Sequence, residues 1–338
     1  MSWDPSLPSE LSPESSSQPP QQDPAEEGIR FVVPAILFVC TLLTTLVAGF
    51  LFHIRFVSTT SEEVVQRLQG VLNNPMELLD GLPFSVTVLV ILLAHEMGHY
   101  LSCRYYGIKA TLPYVIPAPP PFNPFGTFGA VIKIKSLFLN RRQLFDVGIA
   151  GPLAGFVFIV PAIIIGLQQS KIFVLMGPTE QTLEFGEPLL FRLFAFLFFP
   201  GGSEANISLH PIGWAAWFGM LATSLNLLPI GQLDGGHVVY ALFGHRGHRI
   251  ISYAAFGGLV GLSLFTAIQA HFSGSLPIFG YLLFAFLLLC MGFRHPRPHT
   301  EFPPMDSGRF VVAIIALIIF FLTFIPVPVR FVEHVGSL

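Results

Sequence analysis

Long apolar stretches constrain the fold of this chain more than any other feature of its sequence. A membrane-spanning helix needs about 20 consecutive, mainly apolar residues. Candidate stretches of that kind occur at 31–54, 82–103, 145–167, 211–229, 250–270, 276–293 and 310–328. One more apolar segment, Leu189 to Pro200, is too short to span a membrane and is expected to be interfacial or re-entrant. The sequence therefore predicts an all-α polytopic membrane protein with about seven transmembrane helices.

The composition agrees with a lipid environment. Charged residues make up 11% of the 338 residues, whereas soluble proteins carry about a quarter, and the mean hydropathy is +0.68. A net charge of −3 argues against a nucleic-acid partner. The three cysteines are scattered and form no CxxC pair, so they predict neither a disulfide framework nor a thiolate metal site.

Basic residues predict the orientation of the spans, because cytoplasmic loops are enriched in lysine and arginine. Alternation through seven spans places the N-terminal tail and the loops 104–142, 244–250 and 293–309 on one side of the membrane. That side carries 12 of the 17 Lys and Arg residues. We therefore expect a cytoplasmic N-terminus and an external C-terminus.

Two polar groups interrupt the apolar background, and ionisable residues inside a membrane usually have a function. The first group is His95-Glu96-Met97-Gly98-His99. Positions i and i+4 of a helix share one face, so both imidazoles can bind one metal ion. Glu96 lies between them and could act as a general base toward a water molecule at that metal. The alternative is a pair of histidines that only form hydrogen bonds inside a helix bundle.

A third metal ligand must come from elsewhere, because a catalytic zinc ion usually has three protein ligands. Asp234, in the second polar group, is the best candidate, since it lies in an apolar, glycine-rich segment in which Pro229 interrupts the helix. The predicted orientation places Asp234 and His95 near the same, cytoplasmic side. His237 is a rival ligand, and an Asp-Gly turn without a metal is the structural alternative.

The stretch 111–138 departs from the helical pattern. Its six prolines between Pro113 and Pro124 exclude a helix there. The run Ala130 to Lys135 contains β-branched residues that alternate with lysine at its end, which predicts a strand.

Four motifs in this order resemble the site-2 protease family of intramembrane metalloproteases: HEMGH, FGTFGA, GPLAG and NLLPIGQLDGG. The similarity extends from about residue 82 to 245. It implies a core of three membrane helices and one zinc ion per chain, bound by His95, His99 and Asp234, with Glu96 as the base. It also implies that Asn226 stabilises the tetrahedral intermediate of peptide hydrolysis. The alternative for Asn226 is a hydrogen bond that packs two helices together.

The resemblance further implies a membrane-associated β-structure over 113–137. An unwound substrate could add to the edge of such a strand, and Gly126, Thr127, Phe128 and Gly129 are the candidate residues for that contact. The alternative is an ordinary cytoplasmic loop. The small residues of GPLAG, at 151–155, are expected to pack closely against the helix that carries HEMGH.

The chain divides into four predicted segments. Residues 1–28 form an acidic, disordered tail rich in Pro, Ser and Gln. Residues 29–81 form the first transmembrane helix and an extracytoplasmic loop, 82–245 the metalloprotease core, and 246–338 the C-terminal transmembrane helices. The tail has neither a basic n-region nor an Arg-rich amphipathic helix, so we expect no signal or transit peptide.

The layout resembles the branch of the family found in bacteria and chloroplasts, and the tail favours a bacterial membrane. About 40 residues at 168–210 are too few for a PDZ domain, so substrate gating would depend on the membrane part, the proline-rich loop or a regulatory membrane partner. The expected substrate is a transmembrane protein, and the expected surroundings are membrane lipid.

His245, His248, His295 and His299 lie in basic loops and are expected to be solvated.

The expected reaction is hydrolysis of a peptide bond by direct attack of water, without a covalent intermediate. Two other functions remain possible. A non-catalytic scaffold of the same fold would not need zinc, and a metal transporter would need several ligand sets across the membrane, which the scattered histidines do not provide.

Overall fold

The computed structural model describes residues 24–172, 182–199, 207–273, 281–293 and 295–332. Nine α-helices are found in these ranges: α1 (Pro24–Val57), α2 (Ser61–Asn73), α3 (Leu82–Tyr105), α4 (Arg141–Gln169), α5 (Leu189–Phe198), α6 (Pro211–Asn226), α7 (Asp234–Ser273), α8 (Tyr281–Met291) and α9 (Ser307–Thr323). A 3₁₀ helix, Pro75–Gly81, leads directly into α3. The predicted tail lies largely outside the described residues, and α1 begins a few residues before the expected start at 29.

Four helical segments in the described ranges are long and apolar enough to cross a membrane: Phe31–Val57, Pro75–Tyr105, Arg141–Gln169 and Asp234–Gln269. The helices α5 and α9 are apolar but shorter, as are α6 with 16 residues and α8 with 11. The chain is therefore a mostly helical, multi-pass membrane protein, as the apolar stretches predict.

Three helices, α3, α4 and α6, pack against one another and form the centre of the bundle. Glycines allow their close approach, since a Cβ atom on Gly98 of α3 would lie 2.3 Å from the carbonyl oxygen of Ala150 in α4. A Cβ atom on Gly166 of α4 would similarly lie 2.5 Å from the Cα of Gly213 in α6. Small residues therefore let these backbones meet directly, as they do in many membrane bundles.

Six short strands form three antiparallel pairs within the described residues: β1 (Tyr114–Pro117) with β2 (Thr127–Val131), β3 (Lys171–Ile172) with β5 (Ile207–Ser208), and β4 (Thr182–Phe185) with β6 (Val329–Val332). The β1–β2 hairpin replaces the strand expected at 130–135. Its second strand starts earlier and ends at Val131. Beyond that residue the N–H of Lys133 donates to a side chain, Thr111 Oγ1, at 3.0 Å.

The hairpin lies against α1. Thr41 Oγ1 donates to the carbonyl oxygen of Val115 at 3.0 Å, and Thr44 Oγ1 donates to that of Gly126 at 2.6 Å. Gly126 has φ +76°, and a Cβ atom there would lie 2.5 Å from the carbonyl oxygen of Thr44. The first helix therefore holds a β-hairpin beside the three central helices.

A kink divides α7 at Gly244, which has φ 70°. The part before the kink carries Asp234 and contacts α4, whereas the part after it packs with α8. The kink therefore lets one continuous helical segment contact α4 with its first part and α8 with its second part.

Candidate active site

His95 and His99 lie one turn apart on α3 and are buried, with 6% and 7% of their surfaces exposed. Their Nε2 atoms lie 3.2 Å apart. His99 Nδ1 lies 2.7 Å from the carbonyl oxygen of Val147 in α4. Because a carbonyl only accepts, Nδ1 carries the proton, and the lone pair on Nε2 is left for a metal.

Asp234 completes a group of three possible ligands. Its Oδ2 atom lies 3.2 Å from His95 Nε2 and 3.3 Å from His99 Nε2. Two ligands of a tetrahedral zinc ion, bound at about 2.0–2.2 Å, are separated by about 3.3 Å. All three pairwise distances fit that spacing, so this donor set can hold a zinc ion. Among the described residues it is the only group of three or more His, Cys, Asp or Glu that meets a metal-binding spacing.

A turn without regular secondary structure places Asp234. Helix α6 ends at Asn226, and α7 begins at Asp234. The turn is tight, because a Cβ atom on Gly235 would lie 2.0 Å from the carbonyl oxygen of Leu227. Gly231 has φ +56°, a conformation that favours glycine. Gly231 and Gly235 of the NLLPIGQLDGG motif are therefore required by the backbone around the carboxylate.

The GPLAG motif of α4 lies directly against the histidines. A Cβ atom on Gly151 would lie 2.1 Å from His99 Nε2, and one on Gly155 would lie 3.3 Å from His95 Cβ. The predicted packing of this motif against the HEMGH helix is confirmed. The contact does more than bring two helices together, because Gly151 leaves the space that the ring of His99 occupies.

Glu96 is buried with 7% of its surface exposed, but its carboxylate is not part of the three-atom group. The strand β2 contacts α3, and the backbone of Ile132, just after β2, is close enough to that carboxylate to influence it electrostatically. The hairpin therefore leads into the site beside Glu96. This contact between the hairpin and the glutamate has no signal in the sequence, because the two residues are far apart in the chain.

Asn226 lies at the edge of the histidine pair. Its Nδ2 atom is 3.2 Å from His95 Nε2. An amide at this position can donate a hydrogen bond into the site. The geometry therefore permits Asn226 to stabilise the tetrahedral intermediate, and that role stays a prediction.

The four hairpin residues predicted to contact a substrate differ in exposure. Gly126 is packed against α1, and Thr127 is fully buried, where its hydroxyl donates to the carbonyl oxygen of Ile116 at 2.8 Å. Phe128 is 62% exposed, and a Cβ atom on Gly129 would meet nothing within 4 Å. Phe128 and Gly129 are therefore the accessible pair, whereas Gly126 and Thr127 hold the hairpin in place.

His237, the rival ligand, points to a different partner. Its Nδ1 atom lies 2.6 Å from His295 Nε2, and its ring is not part of the three-residue group. His295 Nδ1 donates to the carbonyl oxygen of Pro296 at 2.7 Å. Burial lowers the pKa of His295 to about 3, so this ring is neutral near pH 7, and its Nε2 accepts a hydrogen bond from His237.

The prediction that the histidines of the basic loops are solvated is wrong for two of them. His248 is 1% exposed and His295 is 5% exposed. The second half of α7 and the loop after α8 fold back onto the turn before Asp234, and this removes both rings from solvent. His299 is exposed, as expected.

The family model for peptidase family M50 matches residues 83–270, more than half of the chain. The chain belongs to peptidase family M50. The resemblance to site-2 proteases is thereby confirmed. The matched region contains α3, α4, α6 and most of α7, and so it includes every residue of the candidate zinc site.

Several curated plant proteins are similar to this M50 member over much of its length. "Probable zinc metalloprotease EGY1, chloroplastic" of Arabidopsis thaliana is 29% identical over 91% of this chain and 55% of its own length. The Oryza sativa subsp. japonica protein of the same name is 28% identical over 91% and 52%. "Probable zinc metalloprotease EGY2, chloroplastic" of Arabidopsis thaliana is 32% identical over 64% and 38%. The chain spans about half the length of the curated relatives it matches or less.

The names of these relatives bear on the expected location. They place the relatives in the chloroplast, so the expectation of a bacterial membrane receives no support from them. The long apolar helices support a multi-pass integral membrane protein.

Proposed function

We propose that this chain is an intramembrane zinc metalloprotease that hydrolyses peptide bonds of membrane-spanning substrates. One observation carries the proposal: His95 Nε2, His99 Nε2 and Asp234 Oδ2 lie 3.2–3.3 Å from one another between buried helices. Membership of peptidase family M50 and the zinc metalloprotease names of the relatives support the same reaction.

Each residue of the site has a role in this proposal. His95, His99 and Asp234 hold one zinc ion, which when bound would polarise the scissile carbonyl and make water more acidic. Glu96 takes a proton from the attacking water and passes it to the leaving amine. Asn226 donates from Nδ2 to the oxygen on which negative charge develops. The surrounding apolar helices exclude bulk water, and this strengthens these electrostatic interactions.

The β1–β2 hairpin is the proposed substrate-binding element. A peptide bond in a transmembrane helix is shielded by its own hydrogen bonds, so the substrate must unwind before hydrolysis. The extended segment would add to the accessible edge near Phe128 and Gly129. Because β2 contacts α3, which carries Glu96, the hairpin is placed to deliver the segment to the base.

We further infer seven membrane crossings with the metal centre near one face. Pairing of β4 with β6 brings the segment after α9 to the same end of the bundle as the segment between α4 and α5. That placement needs an even number of crossings between the two segments, and four crossings, by α6, α7, α8 and α9, agree with it. His99 lies six residues before the end of α3, about 9 Å along the helix. The centre is thus nearer the face that bears the basic loop 106–140.

The decisive experiment measures zinc per chain in detergent-purified protein, without chelators, for the wild type, Asp234→Ala and Glu96→Gln. We expect about one zinc in the wild type, a clear loss in Asp234→Ala, and retention in Glu96→Gln. Cleavage of a membrane-embedded peptide should fall by about 10²-fold or more in Glu96→Gln, because the base is lost while the metal remains.

The scaffold alternative predicts a different pattern. The scaffold function would be supported by a wild-type protein that holds no zinc and cleaves none of the tested membrane peptides. Full cleavage by Glu96→Gln would contradict the role of the glutamate, and zinc retained by Asp234→Ala would contradict that of the aspartate.

A further inference from the structure

The turn between α6 and α7 is held by side chains that lie outside all four motifs. Ser252 Oγ donates to the carbonyl oxygen of Pro229 at 3.0 Å, and His248 Nε2 lies 3.0 Å from the carbonyl oxygen of Gly231. Both side chains are on the second half of α7, four residues apart, and both are almost fully buried, with exposed fractions of 0% and 1%. His248 Nε2 also lies 3.3 Å from Ser252 Oγ. We call His248 and Ser252 the turn clamp.

A second contact closes over the same turn. A Cβ atom on Gly231 would lie 2.8 Å from the carbonyl oxygen of Gly292, in the loop that follows α8. From that loop His295 stacks on Tyr240, with ring centroids 4.5 Å apart, and accepts from His237 Nδ1. The turn is therefore contacted both by the second half of α7, which carries the turn clamp, and by the loop that follows α8.

We propose that His248 and Ser252 are positioning residues, which keep the Asp234 carboxylate at the distance from His95 and His99 that zinc binding requires. This inference rests on the proposed zinc site. Neither side chain belongs to the three-atom group, so both act only through the backbone of residues 229–231.

The two histidines and the aspartate of the metal site are held in place by different interactions. His95 and His99 are on α3, whose own hydrogen bonds fix their spacing. The segment 227–233 lacks such a ladder, and irregular backbone at membrane depth persists only where protein groups satisfy its carbonyls. Loss of one donor would leave a buried carbonyl unpaired and free the turn to move. The aspartate side is therefore the side on which positioning residues matter.

The experiment compares Ser252→Ala with Ser263→Ala in the full-length, zinc-loaded protein. Ser263 is a matched control, because it is buried on the same helix but donates to Leu259 of that helix. Release of zinc to EDTA is followed in time, and thermal unfolding is measured in parallel. We expect release from Ser252→Ala to be about tenfold faster than from the wild type, and release from Ser263→Ala to be unchanged.

His248 provides a second comparison that does not depend on one variant folding well. Glutamine can present a donor near the position of Nε2, whereas leucine cannot. We expect His248→Gln to release zinc at nearly the wild-type rate and His248→Leu to release it about tenfold faster. A purely structural role would lower the unfolding temperatures of Ser252→Ala and His248→Leu without this difference in zinc release.

The outcomes separate this inference from the proposed function. A wild type without zinc would contradict the proposed function itself. If the wild type holds zinc, and both Ser252→Ala and His248→Leu release it at the wild-type rate, the positioning role is overturned. The protease assignment would then remain intact.

Discussion

Glycines of α4 determine where the zinc-binding histidines can lie. At Gly151 the space of a side chain is taken by the ring of His99, and at Gly155 the backbone approaches His95. The carbonyl of Val147, one turn earlier on the same helix, orients the His99 ring through Nδ1. One face of α4 thus provides both the space for a ligand and the hydrogen bond that orients it.

The change Gly151→Ala should therefore weaken zinc binding while leaving the helix intact. A methyl group at 151 would lie 2.1 Å from His99 Nε2 and would push the ring from its position. We expect zinc affinity to fall at least about tenfold, measured by competition with a chelator. Gly257→Ala is the control, because a Cβ atom at this α7 glycine would meet nothing within 4 Å. Equal zinc affinity in the two variants would contradict this account of the motif.

The hairpin and the first helix act together. Two threonines of α1 donate to carbonyls of the hairpin, and Gly126 fits against the α1 backbone. All of α1 lies before residue 83, where the family match begins. An element outside the matched region thus positions the strand edge that reaches Glu96, and this arrangement extends the site beyond its three central helices.

Backbone addition of a substrate to this edge predicts the effect of one proline. Phe128 lies where the β1–β2 register shifts, opposite no residue of β1. Phe128→Pro removes its N–H, whereas Phe128→Ala keeps it. If that N–H binds substrate, cleavage of a membrane-embedded peptide should fall by about tenfold in Phe128→Pro relative to Phe128→Ala. Both variants should hold zinc as the wild type does, and equal cleavage by the two would count against strand addition.

The whole molecule has two distinct ends. The amphipathic α2 and the 3₁₀ helix precede α3, and the hairpin loop follows it, so the two segments lie at opposite ends of one membrane-spanning helix. The loop 295–306 meets the hairpin end, where the N–H of Thr300 donates to the carbonyl oxygen of Leu139 at 2.9 Å. Because the loop 295–306 lies at the same end as the hairpin, the chain must cross the membrane an even number of times between residues 140 and 295.

Cysteine labelling can test this topology in sealed vesicles. We would introduce Gln69→Cys, Lys135→Cys or Arg297→Cys, all at exposed positions, into a chain whose three native cysteines are replaced by alanine. A membrane-impermeant maleimide should label position 69 from one side, and positions 135 and 297 from the other. Labelling of 69 and 135 from the same side would contradict a membrane-spanning α3, and labelling of 135 and 297 from opposite sides would contradict seven crossings.

Local patterns in the sequence determined much of this protein. The i, i+4 spacing of His95 and His99, the apolar stretches and the glycine-rich segment around Asp234 all depend on neighbouring residues, whose geometry a helix or a tight turn dictates. The sequence therefore predicted the multi-pass helical class, the family and the three residues that the structure brings together.

Only the tertiary structure decided which distant residues surround that site. Nothing near His248 in the sequence indicates that it contacts Gly231, and its basic neighbours suggest a solvated loop, yet the kink at Gly244 turns the helix back and buries the ring. The approach of Ile132 to Glu96 and the docking of the hairpin on α1 likewise depend on how separate elements pack. Such contacts follow from the shape and spacing of whole helices, which local sequence patterns do not encode.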